Sequence, residues 1–164
     1  MSTVTVKKLP PAELMRNKML EFEAAMANMP DTRFGDDAFP LKHTFTDGLY
    51  IREMTGIKGH IVVTKLHKTT HPYFVLKGDV SVLTETGVVR IKAPYAGITK
   101  AGTKRIAFFH EDTIWTTVHI TEETDLKKIE KEMIAETYNE LPENVKKTLG
   151  IESKKGSEVS LCRG

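Results

Sequence analysis

HKTTHPYFVLKGDVSV, residues 67–82, decides how the chain is read. His67 and His71 stand four residues apart and run into the apolar segment Tyr73–Leu76; Gly78 follows, and then the alternation of Val80 and Val82. Two strands broken at a glycine fit this pattern, so the histidines are either a metal site or the ends of two ordinary strands. Working outward, LYIREM, HIVVTKLH, VVRIKA, KRIAFF and TIWTTVHI are equally short, rich in β-branched and aromatic residues, and bounded by Gly, Pro, Asp or Thr. ETG at 85–87 is a hairpin signal, with Gly87 free to take a positive φ. About seven or eight strands without an intervening helix require an antiparallel sandwich or barrel and leave no place for a parallel α/β sheet.

The flanks have a helical period. Met15, Met19, Phe22 and Met26 follow Pro10 and Pro11 at intervals of four, three and four, which predicts an N-terminal helix with those side chains on one face. MPDTRFGDDAFP, 29–40, reads as a loop. After residue 120, Thr121 is the expected cap, Glu122 and Glu123 suit the positive end of a helix dipole, and Leu126, Ile129, Met133 and Ile134 form an apolar stripe. PENVKKTLG adds a last helical turn closed by Gly150. The expected organisation is an N-terminal helical extension and loop over 1–45, a β-barrel over 46–120, C-terminal helices over 121–150 and a flexible tail over 151–164.

Composition removes several function classes. With 164 residues, 40% of them hydrophobic and 28% charged, the chain can bury a core and reads as neither disordered nor membrane-embedded. Its formal net charge of +2 is too small a field to point to a nucleic acid polymer. The N-terminus has no apolar segment of signal-peptide type, and the single cysteine, Cys162, excludes an intrachain disulfide; a cytoplasmic protein is expected. P-loop, Gly-x-Gly-x-x-Gly, Gly-x-Ser-x-Gly and paired-cysteine zinc spacings are all missing from the sequence.

Residues 59–119 resemble the cupin superfamily, small jelly-roll barrels in which a His-x-His, a Glu and a Gly form one motif and a Pro-x-Gly-x-x-His forms a second. Set on Gly78, the first motif places Lys65 and His67 at the histidine positions and His71 at the glutamate position. Set on KAGTKR, 100–105, the second places Lys100 at the proline, Gly102 at the glycine and Arg105 at the histidine. Of the four ligand positions, only His67 keeps its usual identity. The resemblance implies a double-stranded β-helix, flanked here by an N-terminal helix and a C-terminal amphipathic helix. FTDGLYIREM, KGDVSVLTE, AGTKR and DTIWTTVHITEETDL also resemble small cupin-like proteins of tailed bacteriophages, which implies a viral protein in the host cytoplasm, with incorporation into virions as the alternative.

Lys65, His67, His71 and Arg105, if the alignment brings them together, offer charge-assisted donors to phosphate or carboxylate, and Tyr73, Tyr95 or Trp115 could wall the site. The expected function is therefore a barrel that binds a small anionic molecule, a nucleotide or phosphorylated sugar, without a metal cofactor. Two alternatives stand beside it: a virion or assembly component with the barrel as scaffold, and a metal-dependent oxygenase or isomerase holding a divalent transition metal on His67 and His71. A third ligand would come from His119, His110, Glu111 or His60. Val118 and Ile120 alternate against His119, so an inward apolar set turns His119 outward. Lys65 and Arg105 could instead pair with Glu53, Glu111 or Asp112. The apolar faces of the two flanking helices point to a homo-oligomer or to contact with other virion subunits.

Overall fold

The computed structural model describes residues 11–151. The tail expected beyond residue 151, with Cys162, lies outside the described residues. Two antiparallel sheets face each other. One holds β1 (Leu41–Thr46), β2 (Leu49–Gly56), β10 (Thr113–Ile120), β5 (His71–Lys77) and β8 (Tyr95–Thr99), in that order. The other holds β3 (Ile61–Val63), β9 (Ile106–Phe109), β6 (Asp79–Thr84) and β7 (Gly87–Lys92). A third, two-stranded sheet pairs β4 (Leu66–His67) with β11 (Ile134–Ala135). Most connections carry the chain from one large sheet to the other, as a jelly roll requires, while β1–β2 and β6–β7 are hairpins. The second hairpin turns at Glu85–Thr86, and Gly87 has φ +128°.

Period-two alternation decides which residues fill the space between the sheets. On β5, His71, Tyr73 and Val75 are buried, whereas Phe74 and Leu76 face outward. From the facing sheet come Val80, Val82, Ile91, Ala107 and Phe109, and Phe39 from the loop before β1 completes this core. Gly56 lets the sheets approach: a Cβ there would stand 2.3 Å from the Phe109 ring. On the outside of the five-stranded sheet, Leu49, Phe74, Leu76, Ile98 and Ile120 are exposed.

The sequence reading misses β1 and β8. It also runs β3 and β4 together, although Thr64 and Lys65 interrupt them. YAGIT, the sequence of β8, carries an alanine and a glycine that weaken its strand signal. The glycine is needed, because a Cβ on Gly97 would lie 2.7 Å from the Tyr73 ring.

The helices dock by mixed means. α1 (Ala12–Ala27) buries Met19 and half-buries Met15 and Met26, but Phe22 stays exposed, so the inward face differs from the predicted stripe. Buried Arg16 occupies that face and joins Glu85 at 2.8 Å, while Glu23 takes the buried Lys104 at 2.7 Å. α2 (Leu126–Met133) is capped by Asp125, which accepts the N–H groups of Lys127 and Lys128, and not by Thr121. Thr121 and Glu123 instead accept backbone N–H groups within the preceding turn, satisfying donors before the helix begins. Ile134 has left the helix to pair with His67, so the stripe stops at Met133. α3 (Glu143–Thr148) ends before Gly150 at φ +69°. No helix among the described residues is long and apolar enough to cross a membrane.

Leu66, Ala135, Leu141 and Val145 form a separate core that fixes β4 to the C-terminal elements. Leu66→Ala should lower the unfolding free energy by about 2–5 kcal/mol in urea denaturation, since Leu66 is 2% exposed. Leu76→Ala, on the outer face, should change it by no more than about 0.5 kcal/mol.

Candidate functional site

Three imidazoles meet at one end of the barrel interior. His67 lies on β4, His71 opens β5 and His119 sits near the end of β10; one nitrogen from each lies within 4.8 Å of the others. Their ring centroids are 4.4 Å apart for His67–His71 and His71–His119, and 5.6 Å for His67–His119. The backbone holds each ring from a different element. His67 is paired with Ile134, and its carbonyl accepts from Gly102 at 2.8 Å. His71 and His119 lie on neighbouring strands of the same sheet, whose Tyr73–Thr117 pairing directs both inward.

His119 corrects the sequence reading. It is 4% exposed, while Ile120 is 88% exposed, so the apolar residues of β10 face outward and Trp115, Thr117 and His119 face inward. The alternation is as expected, but its polarity is reversed because this end of the interior is polar. The signal available in the sequence was the shared parity of His119 with Trp115.

Hydrogen bonds prepare these rings as donors of lone pairs. His71 Nδ1–H donates to the Thr69 carbonyl at 3.1 Å, leaving Nε2 free. His119 Nε2 is hydrogen-bonded to Thr117 Oγ1 at 3.0 Å, and its buried Nδ1 has no hydrogen-bond partner. All three imidazoles are held neutral. Burial, then His71, His119, Arg52 and Arg105, pushes His67 down to about 2; burial, then His71 and Arg52, takes His119 to about 4; and burial lowers His71, with Arg105 adding to the effect against the bond to Thr69. A neutral imidazole is the form that ligates metals.

Beside the triad lies an aromatic stack carrying a cation. Tyr73 and Trp115 are parallel at 4.5 Å, and the Arg105 guanidinium lies 4.9 Å from the Tyr73 centroid and 5.9 Å from that of Trp115. Arg105 Nη1 donates to Thr99 Oγ1 at 2.6 Å, and Thr99 is the strand partner of His71. The structure therefore brings together His67, His71, Tyr73 and Arg105. Lys65 stands apart. The break between β3 and β4 removes the strand parity it would share with His67, and its ammonium pairs with Glu130 on α2, in solvent. His60 is exposed, and His110 bonds Ser81 at 2.7 Å, so neither joins the triad. Tyr50 flanks the site, stacked on His119 at 5.9 Å, packed with Ile129 and Met133 of α2, and bonded to His43 Nδ1 at 2.8 Å.

No protein-family model matches the sequence, and no curated protein matches it. Solved structures do match. Ectoine synthase from P. lautus is 9% identical with a TM-score of 0.50, over 66% of this chain and 82% of that one. KdgF from Halomonas sp. is 16% identical at 0.47, over 58% and 90%. A cupin-2 domain protein from Shewanella frigidimarina is 9% identical at 0.43, over 65% and 99%. These likenesses concern the fold alone: the two facing antiparallel sheets have a cupin-like jelly-roll fold.

Because His67 and His119 have folded-state pKa values of about 2 and about 4, below the usual 6.5, the unfolded chain binds more protons in acid. Stability of the metal-free protein should be full above pH 6.5 and fall as pH drops toward 4, by up to roughly 1.4 kcal/mol per pH unit for each proton taken up. Urea titrations from pH 7.5 to 4 should show this slope, and His67→Gln with His119→Gln should flatten it.

Proposed function

We propose that this cupin-fold chain holds one divalent transition-metal ion on His67, His71 and His119 and binds a small anion beside it at Arg105. The observation that carries the reading is the convergence of three neutral imidazoles, one nitrogen of each within 4.8 Å of the others; His119 Nδ1 is in addition buried without a hydrogen-bond partner. The ligand nitrogens lie within 4.8 Å of one another, and an ion with bonds near 2.0–2.1 Å would draw them to about 3.3 Å. All-imidazole sites suit zinc, iron, nickel or copper, and an ion so held would supply a Lewis acid with a position open to ligand.

The chain's own residues have distinct tasks in this reading. Thr69 engages Nδ1 of His71 and Thr117 engages Nε2 of His119, which leaves the other nitrogen of each ring for an ion. Tyr50, with Ile129 and Met133 behind it, keeps water from the flank of His119. Arg105 binds the anion, supported by Thr99 and the Tyr73–Trp115 stack. The sequence favours an anion pocket without metal; the third imidazole is what supports adding the ion. The phrases shared with phage cupin-like proteins support a viral origin.

Metal-stripped protein dialysed against Zn(II) or Co(II) should retain about one equivalent per chain by elemental analysis. His119→Ala should weaken retention by at least about tenfold, with circular dichroism confirming the fold, while Lys65→Ala should leave it unchanged. Retention that is absent, or that ignores His119, would overturn the metal reading.

A further inference from the structure

The outer face of the five-stranded sheet is apolar at its middle. Strand parity places Leu49 and Ile51 of β2, Val118 and Ile120 of β10, Phe74 of β5 and Ile98 of β8 on that side. The register joins them into one patch: Leu49 stands opposite Ile120 and Ile51 opposite Val118, while Phe74 lies beside Thr116 one row along. Leu49, Phe74, Ile98 and Ile120 are exposed, and Ile51 and Val118 are half-buried. By contrast α2, whose apolar stripe the sequence offers to an oligomer, spends Ile129 and Met133 inside the chain against Tyr50. The middle strand supplies a second, independent observation. Thr116 lies on β10, between Glu53 of β2 and Phe74 of β5. Its neighbours Trp115 and Thr117 face inward, so its side chain belongs to the outer face, yet it is only 8% exposed and its hydroxyl has no hydrogen-bond partner in the chain. A hydroxyl sequestered among apolar side chains is costly unless something bonds it.

We propose that two copies of this chain meet at this face, sheet against sheet, about a two-fold axis that passes near Thr116. Size, shape and charge each point to a second copy. Five strands spaced about 4.8 Å apart, with about six residues of about 3.3 Å each, cover roughly 24 by 20 Å. With side chains standing out from it, such a face is of the order of the ~800 Å² that each partner of a specific dimer buries. A twisted sheet is matched by another of the same twist, packed about 10 Å away with the strands crossing at about 30°. Lys42 stands opposite Glu53 in the β1–β2 register, so these two charges balance and the face meets its own copy without repulsion. A lipid surface would instead have to take up the Glu53 carboxylate. Across the axis the two Thr116 hydroxyls come together, and each finds the partner its own chain lacks. Leu76, beside Lys77, falls on the rim, where a substitution costs little. Because β5 and β10 carry His71 and His119 on their inner sides, the contact backs the two strands that hold those imidazoles.

The test is sedimentation equilibrium on the full-length, metal-free protein from about 1 to 100 μM, a range in which a dimer of modest affinity assembles. The wild type should reach twice the 18.4 kDa of one chain at the upper end. Phe74→Lys and Ile120→Lys should each raise the dissociation constant by about tenfold or more, since each sets an unpaired ammonium against the partner's apolar side chains, with circular dichroism confirming the fold. Val88→Lys should leave the dimer intact: Val88 is 67% exposed but lies on the outer side of the other sheet. Should one of the two interface variants fail to fold, the other decides. A wild type that stays monomeric at about 100 μM, a dimer that both interface variants leave intact, or one that Val88→Lys dissolves equally would each overturn the proposal. So would a monomer that floats with neutral phosphatidylcholine vesicles, which would assign the face to lipid.

Discussion

The pairing of Tyr73 with Thr117 between β5 and β10 sets what is inside this barrel. Side chains along a strand alternate, so one register sends His71, Tyr73 and Val75 inward together with Trp115, Thr117 and His119. A slip of one residue would carry His119 to the outer face and drive Phe74 and Val118 into the site. Two glycines make the register costly to leave. Tyr73 lies where a side chain on Gly97 would be, and Phe109 lies where one on Gly56 would be. The stack that carries Arg105 and the triad beside it are thus products of one strand alignment.

The interior that results is divided in its chemistry. Toward one end, Val75, Val80, Val82, Ile91 and Phe109 form an apolar core. Toward the other stand three imidazoles and a guanidinium. Carboxylates meet their cations elsewhere: Glu130 takes Lys65, Glu23 takes Lys104, Glu85 takes Arg16, and Asp79 takes Arg90. Neutral histidines tolerate burial where charged ones would not, and the nearby Arg52 and Arg105 reinforce the neutral form. A site of neutral imidazoles and a cation that pairs with no acid among the described residues attracts negative charge.

Several elements do more than cover the core. α2 and β11 hold Tyr50 against His119 and pair with His67, so the C-terminal segment supports two sides of the triad. The turn at 100–105 bonds His67 through Gly102, is tied to α1 through Lys104 and Glu23, and delivers Arg105. Gly102 is required there, since φ is +77° and a Cβ would stand 2.6 Å from Leu149.

Local pattern determined much of this protein. Short β-branched runs, the ETG hairpin, the helical period after residue 120 and the glycine closing α3 are all legible, because each depends on neighbours in sequence. The cupin-like spacing also placed Lys65, His67, His71 and Arg105 in one region, with Tyr73 a candidate for its wall. Tertiary structure alone decided which face of β10 is inside, and so that His119 belongs to the site: alternation sorts residues into two faces but does not name the buried one when the interior is polar. It also decided that Lys65 leaves, because the break at Thr64–Lys65 and the reach of Glu130 depend on where α2 packs. The strand YAGIT became visible only once Tyr73 lay over its glycine, a contact between residues more than twenty apart in sequence and adjacent only in the folded sheet.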